Sequence, residues 1–132
     1  MRCLVDTNIF LEILLGQKHQ QAAKELLSSG STHQMYITDF SLHSVGLILF
    51  REKRYGLFRE FVADMLINAG IGTVSISNRR ISDVVTAAHQ YGLDFDDAYK
   101  YTAAKQHGLV IISFDTDFDQ TDLGRKQPAD VL

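Results

Sequence analysis

The 132-residue sequence contains only one cysteine, Cys3, and only one proline, Pro128. A single cysteine cannot form an internal disulfide, so the fold must depend on its apolar core, and a reducing, cytoplasmic setting is expected. A single proline near the end of the sequence argues against a proline-rich linker that would divide the chain. No apolar run approaches the roughly 18 residues that a membrane-spanning helix requires, so no membrane association is expected.

An excess of positive charge is also absent. The formal net charge is −3, from 13 Lys and Arg against 16 Asp and Glu. A module that binds nucleic acid through a basic surface alone is therefore not expected, whereas an enzyme that binds phosphate through metal ions needs fewer basic residues. Hydrophobic residues make up 45% of the sequence, which is typical of a globular protein. The length predicts one domain over residues 1–132.

Short apolar segments with the composition of strands alternate with helical patterns. Strands are predicted at residues 3–5, 35–38, 73–76 and 109–113. Helices are predicted at residues 10–15, 22–27 with Gly30 as a C-cap, 41–50, 58–67, 81–88 and 98–107, the last ending at Gly108. The segment LVIIS at 109–113 has the continuous apolar character of a strand buried on both faces. The alternation predicts an α/β fold with a mainly parallel sheet covered by helices on both sides.

Acidic residues follow the first and the last predicted strands. Asp6 ends the apolar run LVD, and Asp115 and Asp117 come directly after LVIIS. A third acidic group, which consists of Asp94, Asp96 and Asp97, leads into the last long helix. Ligands of parallel α/β sheets bind beyond the carboxyl ends of the strands, so we expect these side chains to meet there.

Converging carboxylates need a cation. Two carboxylates about 4 Å apart repel by roughly 4 kcal/mol at an effective dielectric constant near 20. Oxygen ligands are those that Mg²⁺ and Mn²⁺ prefer. The pattern therefore indicates metal-assisted hydrolysis of a phosphate ester, with a diester or a monoester as substrate. Asn8 and Ser113 lie next to these acids in the sequence and are expected either to orient them by hydrogen bonds or to make local turns.

The motifs resemble those of the PIN-domain nucleases, a family that includes the VapC-type toxins of toxin–antitoxin systems. The matching segments are LVDTN (4–8), DDAY (96–99) and IISFDTDF (111–118), in the order and spacing of that family. The resemblance implies a three-layer α/β/α sandwich and cleavage of RNA with Mg²⁺ or Mn²⁺. It implies that Asp6, Asp97 and Asp115 are catalytic, metal-binding acids and that Asp117 is a supporting or direct ligand.

The resemblance also implies protein partners. VapC-type toxins pair with a small antitoxin protein and commonly form homodimers. The apolar stretches 47–50 and 58–67 are candidates for such contacts, and they are equally candidates for the core. The toxin role, like the homodimer, is an expectation that rests on the family alone.

One acid of the family pattern is missing. The family has a Glu early in the helix after the second strand, and here that position falls near Ser44, with no Glu in residues 35–50. His43 and Asp39 are nearby alternatives, although a helical His more often packs and Asp39 is a candidate helix cap. The loss predicts weaker binding of a second metal. A catalytically degenerate PIN-like module that binds RNA or protein is therefore the alternative to a ribonuclease.

Two other acid-dependent families fit less well. The DTD within FDTDF resembles the nucleophile motif of haloacid-dehalogenase-like phosphatases, but only 15 residues follow Asp117, too few for the rest of that machinery. A phosphoacceptor receiver domain would need a Lys after a late strand, and the first Lys after LVIIS is Lys126. Neither class is expected.

Overall fold

The structure, a computed structural model, describes residues 1–29 and 32–132. Gly30, predicted to cap a helix, lies outside the described residues. The strands are β1 (Arg2–Val5), β2 (Gln34–Thr38), β3 (Gly72–Val74) and β4 (Val110–Ile112). The α-helices are α1 (Thr7–Leu14), α2 (Gln20–Ser28), α3 (Asp39–Arg51), α4 (Tyr55–Phe61), α5 (Ser82–Tyr91) and α6 (Phe95–His107). A π-helical segment (Val62–Asn68) follows α4, and 3₁₀ turns span Thr116–Gln120 and Pro128–Val131.

The strands form a parallel sheet in the order β3-β2-β1-β4. Because β1 lies between β2 and β4, the carboxyl end of the first strand is next to the carboxyl end of the last one. This arrangement confirms the predicted α/β fold with a parallel sheet. It also brings the loop that follows β1 beside the loop that follows β4.

Helices cover both faces of the sheet because successive strand residues point to opposite sides. Cys3 and Val5 pack in one apolar cluster with residues of α1, α2 and α3, among them Phe10 and Leu26. Leu4, between them, packs in a second cluster with residues of α5 and α6. The sheet is thus the middle layer of an α/β/α sandwich.

The last strand is shorter than its predicted span of 109–113. The amide of Leu109 still bonds to the Ala104 carbonyl at the end of α6. At the other end, the Ser113 amide donates to Lys126 O at 3.0 Å, and the Lys126 amide donates to Ile111 O at 2.8 Å. The segment around Lys126 therefore covers the free edge of β4, which would otherwise expose unpaired backbone groups.

Two further predictions need adjustment. The predicted strand at 73–76 is β3 at Gly72–Val74, so its last two residues lie beyond the paired segment. The predicted helix at 58–67 is the end of α4 followed by the π-helical segment, with Phe61 buried where the two meet. Among the described residues, no helix is both long enough and apolar enough to span a membrane. Cys3 is buried in β1, and the cytoplasmic setting stays a prediction.

Candidate metal site

Asp6 lies where β1 ends and α1 begins, and each of its carboxylate oxygens accepts a hydrogen bond. Its Oδ1 accepts from the Thr7 amide at 2.7 Å, which makes Asp6 the N-cap of α1. Its Oδ2 accepts from Ser113 Oγ at 2.5 Å, across the gap between β1 and β4. The parallel pairing of these strands places the two residues together although they are 107 positions apart.

Ser113 joins the other predicted residues of this edge. Its Oγ accepts hydrogen bonds from Asn8 Nδ2 at 3.2 Å and from the Asp115 amide at 2.9 Å. The Ser113 side chain is buried, so these bonds are shielded from water. Asn8 and Ser113 thus lie where the sequence places them, next to the acids, and Ser113 connects Asp6 with the backbone of Asp115.

Asp97 reaches the same edge from the start of α6. Asp94 is the N-cap of that helix and accepts a hydrogen bond from the Asp97 amide at 2.9 Å. The cap fixes the first turn, and Asp97 is 5% exposed. Burial, together with the negative charges of Asp115 and Asp94, raises the pKa of Asp97 to about 7 against the opposing effect of Lys100. Asp97 therefore holds a proton more readily than an exposed aspartic acid does.

The acid group consists of Asp97, Asp115 and Asp117, whose nearest carboxylate oxygens all lie within 4.8 Å of one another. Asp115 is the N-cap of the 3₁₀ turn Thr116–Gln120, and its carboxylate accepts a hydrogen bond from the Asp117 amide at 2.8 Å. This local bond holds Asp115 and Asp117 next to each other. Burial decreases from Asp97 to Asp115 to Asp117, so the acid group is open to solvent on one side.

A cavity of about 390 Å³ lies against these residues. It is lined by Asp6, Thr7, Asn8, Leu11, Ser44, Leu47, Ile48, Arg51, Asp96, Asp97, Lys100 and Asp115. Ser44 is among them, so α3 presents to the cavity the residue near which the resemblance places the family's Glu. Arg51, one helix turn beyond Leu47, adds a positive charge to the same cavity.

Lys100 is the residue of this cavity that the sequence analysis missed. Its Nζ lies 2.5 Å from Asp6 Oδ1 and 3.0 Å from Asp96 Oδ1, and its side chain is buried. Burial lowers the pKa of the Lys100 ammonium, but the charges of Asp6 and Asp96 outweigh that effect and leave the pKa raised. The available signal was a lysine one turn after Asp96, inside the otherwise uncharged helical stretch AYKYTAA.

The other two candidates for replacing the missing Glu lie elsewhere. His43 lines an apolar groove with Leu42, Gly46 and Leu47 and does not line the acidic cavity. Asp39 accepts a hydrogen bond from the Tyr99 hydroxyl at 2.7 Å. Thr38, and not Asp39, is the N-cap of α3. Of the three residues considered in the sequence, only Ser44 borders the acids.

The donor set of the acid group fits a hard divalent ion. It consists of carboxylate oxygens alone, as Mg²⁺ and Mn²⁺ prefer, and these oxygens lie within 4.8 Å of one another. Asp6 fits less well, because Thr7, Ser113 and Lys100 already surround its two oxygens. The fit is therefore to an ion bound by Asp97, Asp115 and Asp117.

Comparison with known proteins gives one family. The sequence model described as the PIN domain matches residues 3–123. None of the curated proteins compared with the chain matches it. The match includes all four predicted site acids: Asp6, Asp97, Asp115 and Asp117.

Solved structures share the fold. A toxin–antitoxin complex from Klebsiella pneumoniae has 22% identity and a TM-score of 0.73, with 96% of this chain and 97% of that chain covered. FitAcB from Neisseria gonorrhoeae has 22% identity and a TM-score of 0.72, with 98% and 99% covered. VapBC2 from Rickettsia felis, bound to a DNA fragment from their promoter, has 14% identity and a TM-score of 0.76, with 96% and 98% covered. At these identities the similarity concerns the fold.

Proposed function

The chain belongs to the PIN-domain family, and from that premise we propose that it is a metal-dependent ribonuclease that hydrolyses phosphodiester bonds. The observation that carries the proposal is the meeting of Asp97, Asp115 and Asp117, with carboxylate oxygens within 4.8 Å of one another. These acids come from two segments that are separate in the sequence, the start of α6 and the loop after β4. Carboxylates held this close repel one another unless a cation compensates them.

The residues of the chain have distinct parts in this proposal. Asp97, Asp115 and Asp117 hold Mg²⁺ or Mn²⁺, and Ser113 and Asp94 keep the acids in place through the hydrogen bonds described above. A divalent ion bound there supplies charge stabilisation for the phosphate and an activated water. Arg51 adds a positive charge to the cavity, where it attracts the phosphate backbone of RNA.

Metal binding tests the site before any substrate is known. We expect calorimetry to detect Mn²⁺ binding to the wild-type protein and to detect none after Asp97→Asn, because the substitution removes a ligand charge from the middle of the acid group. Asp64→Asn is the matched control, because Asp64 is an exposed acid of the π-helical segment. Equal Mn²⁺ binding by wild type and Asp97→Asn would contradict the site.

Cleavage is then measured on a pool of RNAs, because an enzyme with narrow specificity does not cleave most single substrates that could be chosen. We expect Mn²⁺-dependent cleavage by the wild type and none by Asp115→Asn, with the folded state of the variant checked by circular dichroism. Cleavage that persists in Asp115→Asn would contradict the assignment of Asp115.

We also propose that the chain is the toxin of a toxin–antitoxin pair and binds a small antitoxin protein. One structure of the same fold is a toxin–antitoxin complex. An apolar surface, here called the α3–α4 face, supports the proposal. It consists of the exposed Leu47, Phe50, Tyr55 and Ile67 and the partly buried Leu42 and Phe58, from α3, α4 and the π-helical segment. Two adjoining grooves of about 500 and 400 Å³ share Phe50 and Phe58 on this face. We propose that it also joins two copies of the chain in a homodimer.

A second candidate function is a PIN-like module that binds RNA or protein without cleavage. The observations in its favour are the neutral Ser44 in the cavity and the buried ion pair between Lys100 and Asp6. Both make the site less negative and so less able to attract metal. Absence of Mn²⁺ binding by the wild-type protein would favour this module over the ribonuclease.

A further inference from the structure

Lys100 differs from a surface lysine because its side chain is buried among carboxylates. Its ammonium is buried with Asp6, at 4% and 3% exposure respectively. A buried lysine is rare unless it is paired, and here the pairing is double, to Asp6 at 2.5 Å and to Asp96 at 3.0 Å. Because Lys100 stands one turn after Asp96 on α6, the helix itself holds the ammonium against Asp6.

The contacts of Asp6 leave little room for a metal ion. Its Oδ1 accepts from the Thr7 amide and faces Lys100 Nζ, and its Oδ2 accepts from Ser113 Oγ. Asp6 is accordingly absent from the group of acids whose oxygens lie within 4.8 Å of one another. On the far side of the cavity Ser44 offers a hydroxyl and no charge.

We propose that the Lys100 ammonium acts as a built-in cation at Asp6, so that the site takes up one divalent ion, on the acid group, in place of two. Lys100 is in this sense a positioning residue: it neutralises Asp6 and keeps its carboxylate turned toward Ser113. The proposal rests on the proposed function, because it assumes that Asp97, Asp115 and Asp117 bind a metal.

The test compares the Mn²⁺ binding of three proteins: wild type, Lys100→Met and Lys105→Met. Methionine keeps an apolar stem of similar length and removes the charge. Lys105 is the matched control, since it lies on the same helix and pairs with Asp122 outside the cavity. Calorimetry and the spectroscopic signal of free Mn²⁺ both count ions per chain.

We expect one ion per chain for wild type and Lys105→Met. For Lys100→Met we expect either a second ion or Mn²⁺ affinity higher by at least about tenfold, the effect that removing one positive charge about 6 Å from a divalent ion has even at the dielectric constant of bulk water. Two ions per chain in the wild type, or identical binding by wild type and Lys100→Met, would overturn the inference.

Loss of Lys100 also leaves Asp6 and Asp96 uncompensated, so the metal-free variant is expected to be less stable or unfolded. Mn²⁺ should then raise the melting temperature of Lys100→Met more than that of wild type or Lys105→Met. A lysine needed for packing alone would give a destabilised variant with no extra rescue by Mn²⁺, and that result would also overturn the inference.

Failure of the proposed function gives a different result. If the wild type binds no Mn²⁺, the ribonuclease proposal fails and this inference fails with it. If the wild type binds Mn²⁺ through Asp97 but binding is insensitive to Lys100→Met, only the role of Lys100 is wrong.

Discussion

Ser113 connects the two ends of the sequence through one hydroxyl group. It donates to the buried Asp6 and accepts from the partly buried Asn8 side chain and Asp115 amide. Removing the hydroxyl would leave the buried Asp6 oxygen and these two partly buried donors without this partner. Buried groups in that state cost about 1–3 kcal/mol each.

We therefore expect Ser113→Ala to lower the free energy of unfolding by about 1–3 kcal/mol in urea denaturation. Ser77→Ala is the control, since Ser77 is exposed, and it should change stability by no more than about 0.5 kcal/mol. A Ser113→Ala protein as stable as Ser77→Ala would show that water replaces the lost hydrogen bonds and that the hydroxyl does not hold the site together.

Acids at strand ends were predictable at the residue scale, whereas the partner of Asp6 was not. Asp6 and Asp115 follow apolar runs directly, and parallel pairing brings such positions to one edge. The contact between the Asp6 carboxylate and the Lys100 ammonium depends on the directions of two side chains, one from the end of β1 and one from α6. Sequence spacing does not determine these directions. Lys100 was therefore missed, and the metal-ligand roles of the acids stay predictions.

At the element scale, the position at which a helix ends depends on the residue at its C-terminus. α6 ends at Gly108, which has a φ of +66°. That backbone conformation suits glycine, and another residue pays about 1–2 kcal/mol in it. A Cβ at Gly108 would lie 3.8 Å from the nearest side chain, Arg2, which is an ordinary contact. The requirement for glycine is therefore one of backbone conformation and not of space.

We expect Gly108→Ala to reduce the free energy of unfolding by about 1–2 kcal/mol in thermal or urea denaturation. The matched substitution is Gly56→Ala, because Gly56 lies within α4 and has open space around its Cα. Alanine favours a helix by up to about 1 kcal/mol over glycine, so Gly56→Ala should stabilise the protein. Equal effects of the two substitutions would contradict this account of the helix end.

Element boundaries depended on contacts that are distant in the sequence. The pattern LVIIS correctly identified a strand buried on both faces, with Ile111 and Ile112 in opposite clusters. It did not reveal that Lys126 pairs with the edge of β4 through the Ser113 amide and the Ile111 carbonyl. The π-helical turn after α4 likewise leaves no trace in an apolar pattern that continues through it.

The α3–α4 face brings together several of the large exposed apolar side chains found among the described residues. Phe50 on α3 is 53% exposed and packs edge-on against Tyr55 and Phe58. Exposed apolar patches of this kind often mark protein contacts. The sequence could not separate core from surface here, because the same apolar residues serve either purpose.

We expect light scattering to give the mass of two chains for the wild type and of one chain for Phe50→Glu, because the new charge would be buried in the proposed dimer contact. Val85→Glu is the control, since Val85 is an exposed apolar residue of α5 on the opposite side of the sheet. A wild-type protein with the mass of a single chain, or a Phe50→Glu protein that still has the mass of two, would contradict the homodimer.

The central position of β1, between β2 and β4, has a consequence for synthesis on the ribosome. Asp6 is made 107 positions before its partner Ser113, which lies on the loop after the strand that pairs with β1. Until that strand has emerged, a nascent chain has Asp6 and Asp97 but lacks Asp115 and Asp117. Translation therefore completes the acid group only after the loop that follows β4 has been made, and a nascent chain that stops before this loop carries no complete site.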